Sequence, residues 1–165
     1  MRPQSEIGRA KNAPVVSDTT EEFVTFCIAG QMFGIPVLKV QDVLSSYQIT
    51  RIPMAPPEIM GSLNLRGRVV TAIDMRARLG LKPREKDAHT MSIVADHEGE
   101  LYSLVVDSVG EVLALSASTF DRNPPTLDPK FRAFSDGIYR LDDRLMVVLD
   151  VTRLLDYGRA AAALS

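Results

Sequence analysis

Apolar positions in this chain recur at short spacing and are bounded by glycine and polar residues. Phe23, Phe26 and Ile28 are followed by Phe33, Ile35 and Val37, with Gly30 and Gln31 between the two groups. β-Branched and aromatic residues dominate, and glycine supplies the positive φ of a tight turn. The pattern therefore predicts two strands joined as a hairpin. Runs at 69–73, 91–94, 101–106 and 145–149 predict further strands, and 113–115 a shorter one. Short helices fit between them at 56–61, 75–79 and 151–155. Pro56 and Pro57 would open the first helix and Gly61 would cap its end. Asp74 and Asp150 each follow an apolar strand, where a carboxylate accepts the free N–H groups of a helix that comes next. Many short strands with brief helices between them indicate an all-β barrel or sandwich.

Laid over itself, the chain repeats. Residues 61–74 match 137–150 at a constant offset of 76, so that Gly61 falls on Gly137, Leu65 on Leu141, Arg68 on Arg144 and Asp74 on Asp150. Residues 32–44 match 101–113 at an offset of 69, with Phe33 on Tyr102 and Val37, Val40 and Val43 on Val106, Val109 and Val112. The copies are too long for a solenoid repeat, so they predict two similar β subdomains. Each is small enough to be marginal alone, so the two should share an interface.

Composition narrows the function. A length of 165 residues with 45% hydrophobic side chains fits one folding unit with a full core. The single cysteine, Cys27, cannot form an internal disulfide, which fits a reducing compartment. One cysteine and two histidines do not make a standard zinc site, and no other cofactor is implied. A formal charge of −2 lacks the cationic excess that phosphate binding needs. No apolar run reaches the roughly 18 residues of a membrane-spanning helix. Residues 1–20 read as a mobile arm, 21–158 as the folded unit and 159–165 as a short tail.

Three stretches then carry a resemblance. They are Phe33-Gly-Ile-Pro-Val-Leu-Lys-Val-Gln-Asp-Val43, Gly61-Ser-Leu-Asn-Leu-Arg-Gly67 with the strand running to Arg76, and Val105-Val-Asp-Ser-Val-Gly-Glu-Val-Leu113. Together they resemble the CheW-type coupling proteins of bacterial chemotaxis, over about residues 23–155. The resemblance implies two intertwined, five-stranded SH3-like barrels joined by short helices. It also implies a cytoplasmic, non-enzymatic adaptor between the signalling tip of a chemoreceptor and the regulatory domain of the histidine kinase CheA. Other CheW-like domains would join it in rings recruited to receptor arrays at the membrane, without membrane insertion and without nucleic acid.

Arg66 is the leading candidate for partner contact, in a loop expected between a short helix and a strand. Its planar guanidinium suits two-point recognition of a carboxylate, and Gly67 lets the backbone turn beside it. By resemblance the Arg at this position serves receptor coupling, within the Asn64-Leu65-Arg66-Gly67 signature. Asp42 stands where the family usually has Glu and is expected to pair with Arg66 and hold the loop. Val40, Ser103, Val109 and Val112 match receptor-sensitive positions, and the valines are expected to line an apolar groove between the barrels. Gly61 matches another. Three departures stand out: Ser62 for a β-branched residue, Thr71 for a proline, and Asp142-Asp143 opposite Arg66-Gly67 in the second copy.

Other readings compete. Asp74 and Asp150 could form a carboxylate dyad, but neither is followed by the hydroxyl and glycine such a loop uses. The basic run Arg66, Arg68, Arg76, Arg78, Lys82, Arg84 and Lys86 could meet nucleic acid, yet no aromatic residue interleaves it, and it reads as a solvated face. A coupler of another chemosensory pathway, such as surface motility, would share every feature named above.

Overall fold

The computed structural model describes residues 19–45 and 47–156; the expected arm and tail fall almost entirely outside them. Eleven strands form two sheets among these residues. They are β1 (Thr20–Ile28), β2 (Gln31–Pro36), β3 (Val40–Leu44), β4 (Ile59–Leu65), β5 (Arg68–Asp74) and β6 (Met91–His97). After these come β7 (Glu100–Val106), β8 (Ser108–Ser116), β9 (Phe120–Asp121), β10 (Ser135–Arg140) and β11 (Leu145–Leu149). Helix α1 (Met75–Arg78) follows β5, α2 (Pro129–Arg132) precedes β10, and residues 151–156 are helical. The first sheet runs β8-β1-β2-β11-β10-β9 and the second β3-β6-β7-β5-β4. The sixth strand of the first sheet is only two residues long, and its counterpart in the second is a single bridge, Thr50 to Ser62.

The halves exchange hairpins. β1–β2, from the first half, lies in the sheet of β8–β11, while β6–β7, from the second, lies in the sheet of β3–β5. Each exchange is sealed by a parallel pair: Phe33 opposite Val147 and Tyr102 opposite Thr71. The two repeat offsets carry Phe33 onto Tyr102 and Thr71 onto Val147. These pairs are therefore one contact written twice, related by a pseudo-twofold axis. The hairpin turns match too, with positive φ at both central residues in Ala29-Gly30 and in Glu98-Gly99, as type I′ turns require.

Alternation along the strands sends side chains to three cores. One face of each sheet meets the other across a central cluster that includes Phe26, Phe33, Ile73, Ile93, Leu104, Ile138 and Val147. The opposite faces enclose two smaller clusters, Phe23, Tyr139, Met146 and Val148 in the first sheet and Leu63, Val70, Ala72, Val94, Leu101 and Val105 in the second. Each sheet is thus buried on both sides, as in a barrel packed against its neighbour.

Several expectations are corrected here. No helix forms at 56–61; the prolines end in a turn and β4 begins at Ile59. Gly61 lies inside β4 beside a register shift, so it is not a C-cap. Its φ is +149°, and a Cβ there would sit 2.1 Å from the Thr50 carbonyl oxygen. Gly137 repeats this at φ +155°, against Phe120 and the Asp121 carbonyl. The run at 113–115 belongs to a nine-residue strand. The capping expectations hold: Asp74 accepts the Arg76 N–H, and Asp150 those of Thr152 and Arg153.

One polar cluster ties the sheets together. Asp107, between β7 and β8, accepts the Ala29 N–H from the β1–β2 turn at 2.8 Å. It also takes two bonds from Arg76 of α1, at 2.6 and 3.1 Å, and one from Arg84, which reaches Asp74 as well. Burial pushes the Asp107 carboxyl up, but the Arg76 and Ala29 bonds and the nearby cations outweigh it and hold it below the usual carboxylate range. Arg76 and Arg84 are therefore mostly buried structural residues, which corrects their reading as part of a solvated face.

Two outcomes follow. Gly61→Ala should destabilise the fold by about 2–5 kcal/mol, since strain and a backbone overlap add, read as a lower urea midpoint. Asp107→Asn should cost about 1.5–3 kcal/mol at pH 7 by removing charged hydrogen bonds. Because the native carboxyl is depressed, the wild type holds this advantage above the unfolded value of about 4 and loses it as pH falls through the lower native value. Urea titrations of both proteins from pH 7 to pH 2.5 should show the gap constant at first and closing only on the acid side.

Candidate partner-binding site

β4 and β5 meet in a tight turn at Arg66-Gly67, with φ of +52° and +85°. Arg66 thus stands at a hairpin tip rather than after a helix. The alternating burial of β4 outweighs the proline and glycine punctuation that predicted a helix there. Asn64 closes the turn by accepting the Gly67 N–H at 3.0 Å, which explains its place in the signature. Leu65, half-buried, packs on the small core of the second sheet and anchors the strand end.

The side chain of Arg66 is 76% exposed, and its Nη2 lies 2.9 Å from Asp42 Oδ2 on β3. Asp is long enough for the expected pair. Asp42 also accepts the Val43 N–H at 2.8 Å, so its carboxylate is fixed from its own strand. One edge of the guanidinium is engaged and the rest faces solvent. Such a group is held in place and still has donors for an incoming carboxylate or carbonyl.

The valines divide. Val40 on β3 and Val109 on β8 are half-buried and pack against the central cluster, at positions related by the pseudo-twofold. Val112 is 53% exposed on β8. Val40, Asp42, Gly61 and the Asn64–Gly67 turn all belong to the second sheet, whereas Val109 and Val112 lie on the edge strand of the first. Ser103 is fully buried and its hydroxyl bonds to Ser92 across β6 and β7, so its influence on a surface passes through packing.

Sequence reasoning missed Leu38, which is 92% exposed in the turn between β2 and β3 and close to Asp42 in the chain. The repeat places Leu38 opposite Asp107, where the second copy carries a charge in place of an apolar side chain. Asp74 and Asp150 are each occupied by a cap and an arginine, Arg84 and Arg153 respectively. Among the described residues no group of three or more His, Cys, Asp or Glu is placed to hold a metal ion. No helix among them is long and apolar enough to cross a membrane.

A duplicated pair of barrels with exchanged hairpins and a solvent-facing, positioned arginine defines a binding module. Residues 22–159 match the CheW-like domain, and the chain belongs to that family. It is 32% identical to the chemotaxis protein CheW of Klebsiella aerogenes, over 82% of this chain and 81% of that one. It is 30% identical to the probable chemotaxis protein CheW of Rhizobium etli, over 86% and 92%. The crystal structure of the scaffolding protein TtCheW from Thermoanaerobacter tengcongensis superposes with a TM-score of 0.75 at 30% identity, over 84% of this chain and 94% of that one. The family is one of chemotaxis scaffolds rather than enzymes.

The exposed Arg66–Asp42 pair should add little to stability. Arg66→Ala is expected to shift the unfolding free energy by less than about 1 kcal/mol in urea titration, as for other surface ion pairs.

Proposed function

We propose that this protein is an adaptor joining the cytoplasmic tip of a chemoreceptor to the regulatory domain of the histidine kinase CheA. The observation that carries this reading is Arg66: a cation at a rigid turn, clamped by Asp42 and 76% exposed. A side chain serving the fold alone would be expected to turn inward, as Arg76 and Arg84 do. Val40, Val109 and Val112 supply apolar surface flanking the central cluster, suited to the i, i+3, i+4 anchors of a helix. Gly61 and Ser103 support this surface from within. CheA is taken on another face, and further CheW-like domains extend the contacts into rings. Linked weak contacts then hold a cytoplasmic protein at a membrane array by multivalency.

The test is co-sedimentation with receptor-containing membranes and purified CheA. Arg66→Ala and Arg66→His should reduce receptor binding and kinase activation about tenfold or more, while leaving CheA binding and fold stability near wild type. Wild-type receptor binding by both variants would remove Arg66 from the contact. Failure of the unmodified protein to bind either partner would sink the adaptor reading itself.

A further inference from the structure

The internal duplication points to a vacant aromatic seat on the second sheet. In the second half, the segment from Asp121 to Phe134 crosses the barrel through α2 and buries Leu127 and Phe131. Phe131 stands edge-on over Phe33, with ring centroids 5.2 Å apart at 90°. Matched hydrogen bonds fix the corresponding segment of the first half. The Asp150 N–H donates to the Phe134 carbonyl as the Asp74 N–H donates to that of Glu58, and Thr50 faces Ser62 as Asp121 faces Ile138. Between these fixed ends lie twelve residues in the second half, 122–133, but only seven in the first, 51–57.

The shorter segment forms no helix and buries neither of its large apolar side chains. Ile52 is 41% exposed and Met54 fully so. Beneath it lies a cleft of about 370 Å³, whose lining includes Ile52, Met54, Ile59, Thr71, Ile73 and Tyr102, with the Glu100 carboxylate accepting the Tyr102 hydroxyl. Its floor repeats the floor under Phe131: Tyr102 stands for Phe33, Thr71 for Val147, Ile73 for Leu149 and Ile59 for Ser135. Where Phe131 covers that floor, Phe33 and Val147 are fully buried and Ser135 nearly so. Without the cover, Thr71 and Ile59 are left half-exposed, while Tyr102 and Ile73 stay buried in the central cluster.

We infer that this cleft receives an aromatic side chain carried on a single helical turn of a partner protein, in the place that Phe131 fills in the other barrel. The occupant is read from the chain itself, since an equivalent backbone with an equivalent floor already holds one. A second copy of the chain cannot supply α2, because its Phe131 is buried in its own seat. Exposed Met54 at the rim, unbranched and adaptable, suits a surface that closes over an incoming ring. The inference rests on the adaptor reading, but not on Arg66.

A capped synthetic peptide of residues 124–134 is the probe, titrated into the isotope-labelled full chain and followed by amide chemical shifts. Saturable shifts are expected at Ile59, Thr71, Ile73 and Tyr102, and a Phe131→Ala peptide should bind at least tenfold more weakly. Thr71→Phe, which fills the cleft from its floor, should weaken the peptide by a similar factor with the remaining amide spectrum intact. It should also weaken capture of CheA or of a receptor fragment at least tenfold. The inference is overturned if millimolar peptide leaves those amides unmoved, or if the Phe131→Ala peptide binds equally well. Wild-type capture of both partners by Thr71→Phe would overturn it while leaving the adaptor reading in place. If the unmodified chain captures neither partner, the adaptor reading falls, and the peptide titration on the unmodified chain still decides the seat.

Discussion

Everything in this molecule depends on two short parallel pairings, β2 against β11 and β5 against β7. They are the only places where strands from opposite halves lie parallel among the described residues. A hairpin cannot make a parallel contact with its own partner strand, so each half completes its sheet only with a hairpin lent by the other. Isolated two-stranded hairpins are marginal in water, and neither half retains enough strands to enclose a core alone. The central cluster therefore forms when both exchanges are made. The Asp107 cluster adds a polar fastening at the same junction, holding the β1–β2 turn of one sheet to α1 at the end of the other.

A backbone duplicated this closely gives the chain two copies of each surface position, and selection need keep only one for a given task. At the hairpin tips Arg66-Gly67 in one barrel faces solvent as a cation, while Asp142-Asp143 in the other is anionic. Asp107 fastens the core where its counterpart Leu38 projects into solvent. The linkers differ by five residues, and that difference separates a filled seat from an open one. Core positions diverge as well, with Phe26 on Ala95, Ile28 on His97 and Val70 on Met146, since in a packed interior a change of volume at one position can be met by its neighbours.

How much of this is legible before folding depends on how far each interaction reaches along the chain. Alternation is local, so the strands and the repeat can be read from residues such as Phe26, Ile28, Phe33 and Ile35. The stretch Pro56–Gly61 misleads, because prolines before and a glycine after are shared by a short helix and by a strand entered through a turn. What requires Gly61 is the Thr50 carbonyl, eleven residues away across a bulge. Ser103 reads as a surface residue by polarity, yet Ser92 opposite satisfies its hydroxyl inside the barrel. Arg76 and Arg84 look like a solvated run until Asp107, more than twenty residues on, supplies the countercharge. The Asp42–Arg66 pair is expected only through the family resemblance, since the two residues lie on strands that neither periodicity nor spacing places side by side.

An adaptor also faces a geometric demand that an enzyme does not, because its product is a fixed relation between two other molecules. Multivalent assembly gains from linking weak contacts only when the linker spans them at one distance and angle. Two barrels on a flexible tether would lose much of that gain to conformational averaging. Here the hairpin exchange removes the tether, since each barrel contains strands of the other half and neither can rotate without breaking the parallel pairs. Arg66 on the second sheet and Val112 on the edge strand of the first are thereby held at one spacing by the packed layer between them. The exchange that makes the halves interdependent for folding thus also fixes the distance between these two surfaces.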